Sequence, residues 1–141
     1  MTAAPDCVFC KIVAGKIPSH TVLRDDSCMA FLDVGPLADG HLLLIPLDHY
    51  ERLDEVPAEV TAAVARRLPE LGRALVQATG AEGYNVLQNN GVLAGQAVPH
   101  VHFHLIPRRD ADGLGYRWHP KSYPTGRAEE ICTQLAKALA G

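Results

Sequence analysis

The chain has 141 residues, 48% hydrophobic and 21% charged, with a formal net charge of -3 and a pI of about 6.1. This is an ordinary globular composition, long enough for one real core, and it predicts a single domain over 1–141. The absence of a long basic run argues against a broad nucleic-acid surface, and no apolar stretch approaches the ~20 residues that span a bilayer.

The opening segment MTAAPDCVFCK lacks the basic start and apolar run of a secretion signal. Cytoplasmic residence is the expectation, and the four cysteines then read as thiols or metal ligands rather than disulfides. Cys7 to Ala14 predicts a short helix stopped by Gly15 and Pro18. Thr21 to Arg24 and Cys28 to Val34 predict two strands around the turn-prone Asp25-Asp26-Ser27. His41 to Ile45, ended by Pro46, is a continuous apolar run that predicts a buried strand.

One long helix is expected from Pro57 to about Thr79, kinked at Pro69 and ended by Gly80. Val60, Val64, Leu68, Leu71, Leu75 and Ala78 form its apolar stripe at steps of three and four. Tyr84 to Gln88 predicts a strand, and Asn89-Asn90-Gly91 with Gly95 a loop. Val98 to Ile106 predicts another strand, ended by Pro107. Arg127 to Leu139 predicts a final helix with Ile131, Leu135 and Leu139 as its stripe. Together these elements define an α+β protein with a mainly antiparallel sheet.

The chemistry concentrates in Pro99-His100-Val101-His102-Phe103-His104-Leu105-Ile106. On a strand, alternate side chains share a face, so His100, His102 and His104 should line one side and Val101, Phe103 and Leu105 the other. Clustered imidazoles mark a site more often than a solvated face. A three-histidine zinc site is a rival reading, although three successive same-face residues converge on one ion with difficulty.

Taken in order, several motifs resemble the histidine triad (HIT) superfamily over nearly the whole chain. They are Cys7-Val-Phe-Cys10-Lys-Ile, Phe31-Leu-Asp33, Gly40-His41-Leu-Leu-Leu-Ile-Pro46, Asn89-Asn90-Gly91, Gly95-Gln96 and His100-x-His102-x-His104-Leu-Ile-Pro-Arg108. The N-terminal Cys-x-x-Cys is similar to a bacterial branch of that family. The resemblance implies a nucleotide hydrolase or nucleotidyltransferase acting on phosphoramidates, dinucleoside polyphosphates or related esters. His102 would attack the α-phosphorus and form a covalent nucleotidyl-histidine. His104 and Gln96 would supply donors to the phosphate, with backbone N–H groups near Gly95. His41 would support the cluster, Asp33 would accept from the ribose hydroxyls, and Asn89 would contact the ribose or phosphate. The alternative class is a nucleotide-binding regulatory dimer with little turnover.

The resemblance also implies a homodimer, and it completes Cys7-x-x-Cys10 with His49 and His100 as a structural zinc site. By itself Cys7-x-x-Cys10 is half of a zinc site, with two buried thiols or a redox pair as the rival readings. Ala97 departs from a branch that often carries Ser or Thr there, which removes a hydroxyl from the phosphate region. Cys28 and Cys132 belong to no motif and read as buried thiols. His20 and His119 read as loop histidines. Tyr116, Trp118 and Tyr123 lie in a Gly- and Pro-rich segment that reads either as a packed surface loop or, as the resemblance implies, as one approaching the site. Arg108 and Arg109 face either distal phosphates or solvent.

Overall fold

Leu42–Pro46 (β3) is buried at every residue, and the reason is that both of its faces are covered. Leu42 and Leu44 enter a cluster with Val64, Leu71 and Leu75, while Leu43 and Ile45 enter another with Cys7, Phe9, Met29 and Phe31. Alternating side chains thus serve two cores, and an uninterrupted apolar run is what such a strand requires.

The computed structural model describes residues 3–115 and 119–141. Among them, β3 is the centre of one antiparallel sheet with β1 (Thr21–Arg24), β2 (Cys28–Leu32), β4 (Gly83–Gln88) and β5 (Phe103–Arg108), in the order β1-β2-β3-β5-β4. Helix α1 (Val8–Val13) contributes Phe9 and Cys10 to the core on one face; α2 (Ala58–Ala65) and α3 (Leu68–Thr79) cover the other. This is the expected α+β architecture.

Asp25 ties the β1–β2 turn to the helices. One carboxylate oxygen accepts the Ser27 and Cys28 N–H groups at 2.7 and 2.8 Å, and the other accepts Arg67 Nε and Nη2 at 2.9 and 2.7 Å. Burial alone would raise this carboxyl, but those bonds outweigh it and hold Asp25 at about 2.

Three features differ from the sequence expectation, two of them boundaries. The single helix over 57–79 is two helices, separated at Arg66 and Arg67. Pro69 lies in the first turn of α3, where its missing N–H costs no internal hydrogen bond, so the chain breaks before the proline rather than kinking at it. The strand expected from Val98 begins only at Phe103 and runs on through Pro107 to Arg108. Before it, His100 N–H donates to the Val98 carbonyl at 2.9 Å, a three-residue turn centred on Pro99, whose fixed φ suits it.

The third difference is α4 (Arg127–Ala140). It forms where expected, but it buries no residue, and Leu135 and Leu139 are 59% and 89% exposed. No helix among the described residues is long and apolar enough to cross a membrane.

Candidate active site and metal centre

β3 and β5 pair antiparallel, with Leu43 opposite His104. That register brings His41, just before β3, against His104. Gly40 makes the entry possible: its φ is +98°, and a Cβ there would lie 2.7 Å from Thr79 Cγ2. His41 is 2% exposed, so its ring must be satisfied internally.

The hydrogen bonds assign the tautomers. The Leu37 N–H donates to His41 Nδ1 at 3.0 Å, so neutral His41 carries its proton on Nε2. That Nε2 lies 2.9 Å from His104 Nδ1, which must then accept, leaving the His104 proton on Nε2 as an outward donor. His102 donates Nδ1–H to the carbonyl of His100 at 2.7 Å, so its Nε2 keeps a lone pair. The His102 and His104 rings are 4.9 Å apart by centroid.

Burial pushes the imidazoles toward neutrality. Desolvation holds His104 at about 4, aided by His102 and His41 and opposed by Asp33. Burial also lowers His102 and His41. All three are therefore neutral near pH 7, and a neutral imidazole is a nucleophile where a protonated one is not.

Asp33 sits at the end of β2 with one carboxylate oxygen 3.6 Å from His41 Nε2. Its other oxygen accepts the Gly35 N–H at 2.9 Å, so the residue also closes the turn that follows. Asn89 Nδ2 donates to the Gly95 carbonyl at 3.4 Å, and Gly95 has a φ of +92°.

The Gln96 side chain turns to the backbone. Oε1 accepts the Gly91 N–H at 2.7 Å, and Nε2 donates to the Glu51 and Val98 carbonyls at 2.6 and 3.0 Å. Both amide hydrogens are thereby engaged, so the expected donation to phosphate has no free hydrogen here. Gln96 instead secures the loop that carries Gly95.

The remaining triad histidine, His100, belongs to a separate group. Cys7, Cys10, His49 and His100 place one donor atom each within 4.8 Å of the others. Cys7 Sγ and Cys10 Sγ lie 3.4 and 3.6 Å from His100 Nδ1; Cys10 Sγ and His49 Nδ1 are 3.4 Å apart, and the two Nδ1 atoms 3.2 Å apart. A tetrahedral zinc with two thiolates and two imidazoles needs edges of roughly 3.6 Å from sulfur to nitrogen and 3.4 Å between nitrogens. The residues fit. His100 Nε2–H donates to the Pro46 carbonyl at 3.0 Å, which leaves Nδ1 as the ligating nitrogen.

Asp33, His41 and His104 also bring donor atoms within 4.8 Å of one another. That group suits a proton relay better than an ion, because the Leu37 N–H keeps the His41 proton on the nitrogen that a metal would need.

Of the three histidines only His104 lies on β5, which begins at Phe103, while the rings of His100 and His102 pack on Phe9 and the His102 ring adjoins that of His104. The expected alternation holds on β5 itself, where Phe103 and Leu105 meet the helix-side core. Several participants had no sequence signal of their own: the Leu37 N–H and the carbonyls of Pro46 and His100. Phe9 had one, its place inside Cys7-x-x-Cys10; its ring packs edge-on against His102 at 5.1 Å and His100 at 5.8 Å.

Of the remaining residues, Arg108 is engaged by Asp112 and Asn85, and Arg109 donates to the Thr79 carbonyl. His20, His119 and Tyr123 are exposed, and Tyr116 and Trp118 lie outside the described residues. Cys28 is buried as expected, but Cys132 is exposed on α4.

A five-stranded antiparallel sheet with a histidine cluster beside a Cys₂His₂ group defines a small α+β protein with a histidine-rich site, and the sequence comparisons specify it further. Residues 14–111 match the HIT domain, and the chain belongs to the HIT family. It is 46% identical over 113 residues to an adenylylsulfatase, HINT3, of Arabidopsis thaliana, covering 80% of this chain and 57% of that protein. It is 37% identical over 145 residues to an adenosine 5'-monophosphoramidase, HNT1, of Candida albicans, covering 99% and 95%. A crystal structure from Streptococcus mutans superposes with a TM-score of 0.93 at 38% identity, over 97% and 87% of the two chains. A zinc-bound histidine triad family protein of Mycobacterium smegmatis superposes with 0.74 at 36% identity, over 94% and 97%. This chain is an enzyme of the HIT family.

Proposed function

We propose that this protein, as one HIT domain, hydrolyses or transfers the nucleoside monophosphate of phosphoramidates, adenylyl sulfate-like anhydrides or dinucleoside polyphosphates, through a covalent nucleotidyl-histidine at His102. The observation that carries this reading is the hydrogen bond from His102 Nδ1 to the His100 carbonyl, which leaves Nε2 as a fixed lone pair in a neutral, buried ring. The relatives named for adenylyl and adenosine phosphoramidate substrates support the substrate class.

His102 Nε2 forms a bond to the α-phosphorus as the bond to the leaving group breaks. The leaving group departs with the bonding pair and takes a proton from water. Water or hydroxide then attacks the same phosphorus, breaking the phosphorus–nitrogen bond and returning His102 as neutral imidazole. His104 Nε2–H donates to a phosphoryl oxygen, where a preorganised donor counts most as charge builds. His41 fixes the His104 tautomer. Asp33 accepts from the ribose hydroxyls, the Asn89–Gly95 loop borders the phosphate, and Gln96 is a positioning residue for that loop.

Cys7, Cys10, His49 and His100 would hold zinc. Bound in that closed set, the ion supplies folding energy rather than a reactive water. A cytoplasmic homodimer completes the proposal. The test is mass spectrometry of the protein quenched after mixing with adenosine 5'-phosphoramidate: an adenylyl adduct on His102 is expected, and turnover without any histidine adduct would overturn the covalent mechanism.

A further inference from the structure

The nucleophile is carried by a segment that the sheet does not hold. β5 starts at Phe103, and residues 98–102 have no ladder partner in the sheet. The backbone of this stretch is tied by the three-residue turn at Pro99 and by the Val101 N–H, which donates to the Tyr50 carbonyl at 2.8 Å. Gln96 Nε2 also holds the Val98 carbonyl at 3.0 Å, and a further tie is the ring of His100, which is 0% exposed and clamped from two sides. Its Nε2–H meets the Pro46 carbonyl at the end of β3, and its Nδ1 faces Cys7, Cys10 and His49. The carbonyl of this same residue receives the His102 ring proton.

We propose that the Cys7–Cys10–His49–His100 centre is the positioning device of the nucleophile, with His100 as the positioning residue. Its ring, pinned as a metal ligand, fixes the direction of its own carbonyl, and that carbonyl fixes the tautomer and aim of His102. Phe9, between the two cysteines, adds a second link, since its ring packs edge-on against both His100 and His102. The inference rests on the covalent reading above and on zinc occupancy. It goes beyond both, because a zinc that only stabilised the fold would leave the aim of His102 unchanged. Displacing a reacting group by about 1 Å costs on the order of a hundredfold in rate, so a loosened His100 should be read out in chemistry before binding.

Two experiments test this on the full-length chain. The first compares zinc-loaded protein with protein stripped by a chelator and shown by circular dichroism to remain folded. Three quantities are read: the single-turnover rate of His102 nucleotidylation, AMP affinity, and the imidazole nitrogen-15 shifts of His102. Stripping should slow nucleotidylation at least tenfold and change AMP affinity less than threefold. It should also replace a single Nδ1–H tautomer with a mixture. The second experiment covers the case in which stripping unfolds the chain. His100→Cys keeps a zinc-binding side chain but shortens it and loses the Pro46 bond; it should retain zinc and fold while losing the rate and the tautomer. Unchanged rate and tautomer in either folded protein overturns the proposal, as does a protein that binds no zinc. Absence of any His102 adduct in the zinc-loaded wild type refutes the covalent reading itself, a separate result from an adduct that forms equally well without the metal.

Discussion

His41 Nε2 lies 2.9 Å from His104 Nδ1, and the Leu37 N–H on the far side of the His41 ring decides which of the two carries the proton. One backbone amide thereby sets the donor that His104 presents outward. The same kind of control operates on His102 through the His100 carbonyl. Ring nitrogens are chemically useful only when their tautomer is settled, and here backbone groups settle it.

Replacing His102 with alanine should lower turnover by several orders of magnitude while AMP still binds, because in the proposed mechanism the group removed is the covalent nucleophile and not the ribose acceptor. Retention of more than about a tenth of the wild-type rate would falsify its role.

Acid should affect activity late and stability early. His104 is held near 4 and His102 is lowered by burial, so neutral rings persist below the ordinary imidazole value. The acid limb of kcat should fall below pH 6.5. The stability sign is opposite to that of a salt-bridged histidine. Between about pH 6.5 and 4 the unfolded chain binds more protons at this position than the folded one, so stability declines as pH falls through that window. The thermal midpoint should drop across it, and His104→Gln should show a shallower drop; an equally steep drop in the variant would assign the effect elsewhere.

Zinc should be present at about one ion per chain in protein purified without chelator. Cys10→Ser should lower the melting temperature and the metal content together, since a closed site contributes folding energy. Metal-free protein that melts normally contradicts this.

Asp33 should discriminate the sugar. An ionised carboxylate only accepts, so a vicinal diol suits it, and a missing hydroxyl costs about 1–3 kcal/mol, or roughly ten- to a hundredfold in affinity. AMP should bind more tightly than dAMP, and Asp33→Ala should remove most of the gap. Equal binding by calorimetry in the wild type would leave Asp33 with the turn role that its bond to Gly35 already shows.

Leu44→Ala should destabilise the fold by about 2–5 kcal/mol, because Leu44 is 0% exposed in the helix-side core and its loss leaves a cavity under Val64 and Leu75. Chemical denaturation measures it, and a loss under about 1 kcal/mol means that the site collapses without cost.

Local pattern alone determined much of this protein. The apolar run of β3 announced a doubly covered strand, the spacing of Val64, Leu71 and Leu75 a covering face, and the ordered histidine, cysteine and asparagine motifs a HIT-type site. Such features are encoded by side-chain type and period, which survive without knowledge of what lies opposite. Tertiary structure decided the rest. Alternation placed three histidines on one face, but it did not show that β5 would begin only at Phe103, nor that His100 would join Cys7, Cys10 and His49 while His104 joins His41 and Asp33. Gln96 had the composition of a phosphate donor, yet its partners are the carbonyls of Glu51 and Val98. These outcomes depend on backbone amides and carbonyls arriving from residues far along the chain. Every residue but proline carries both groups, so the sequence does not mark which of them will meet a given ring.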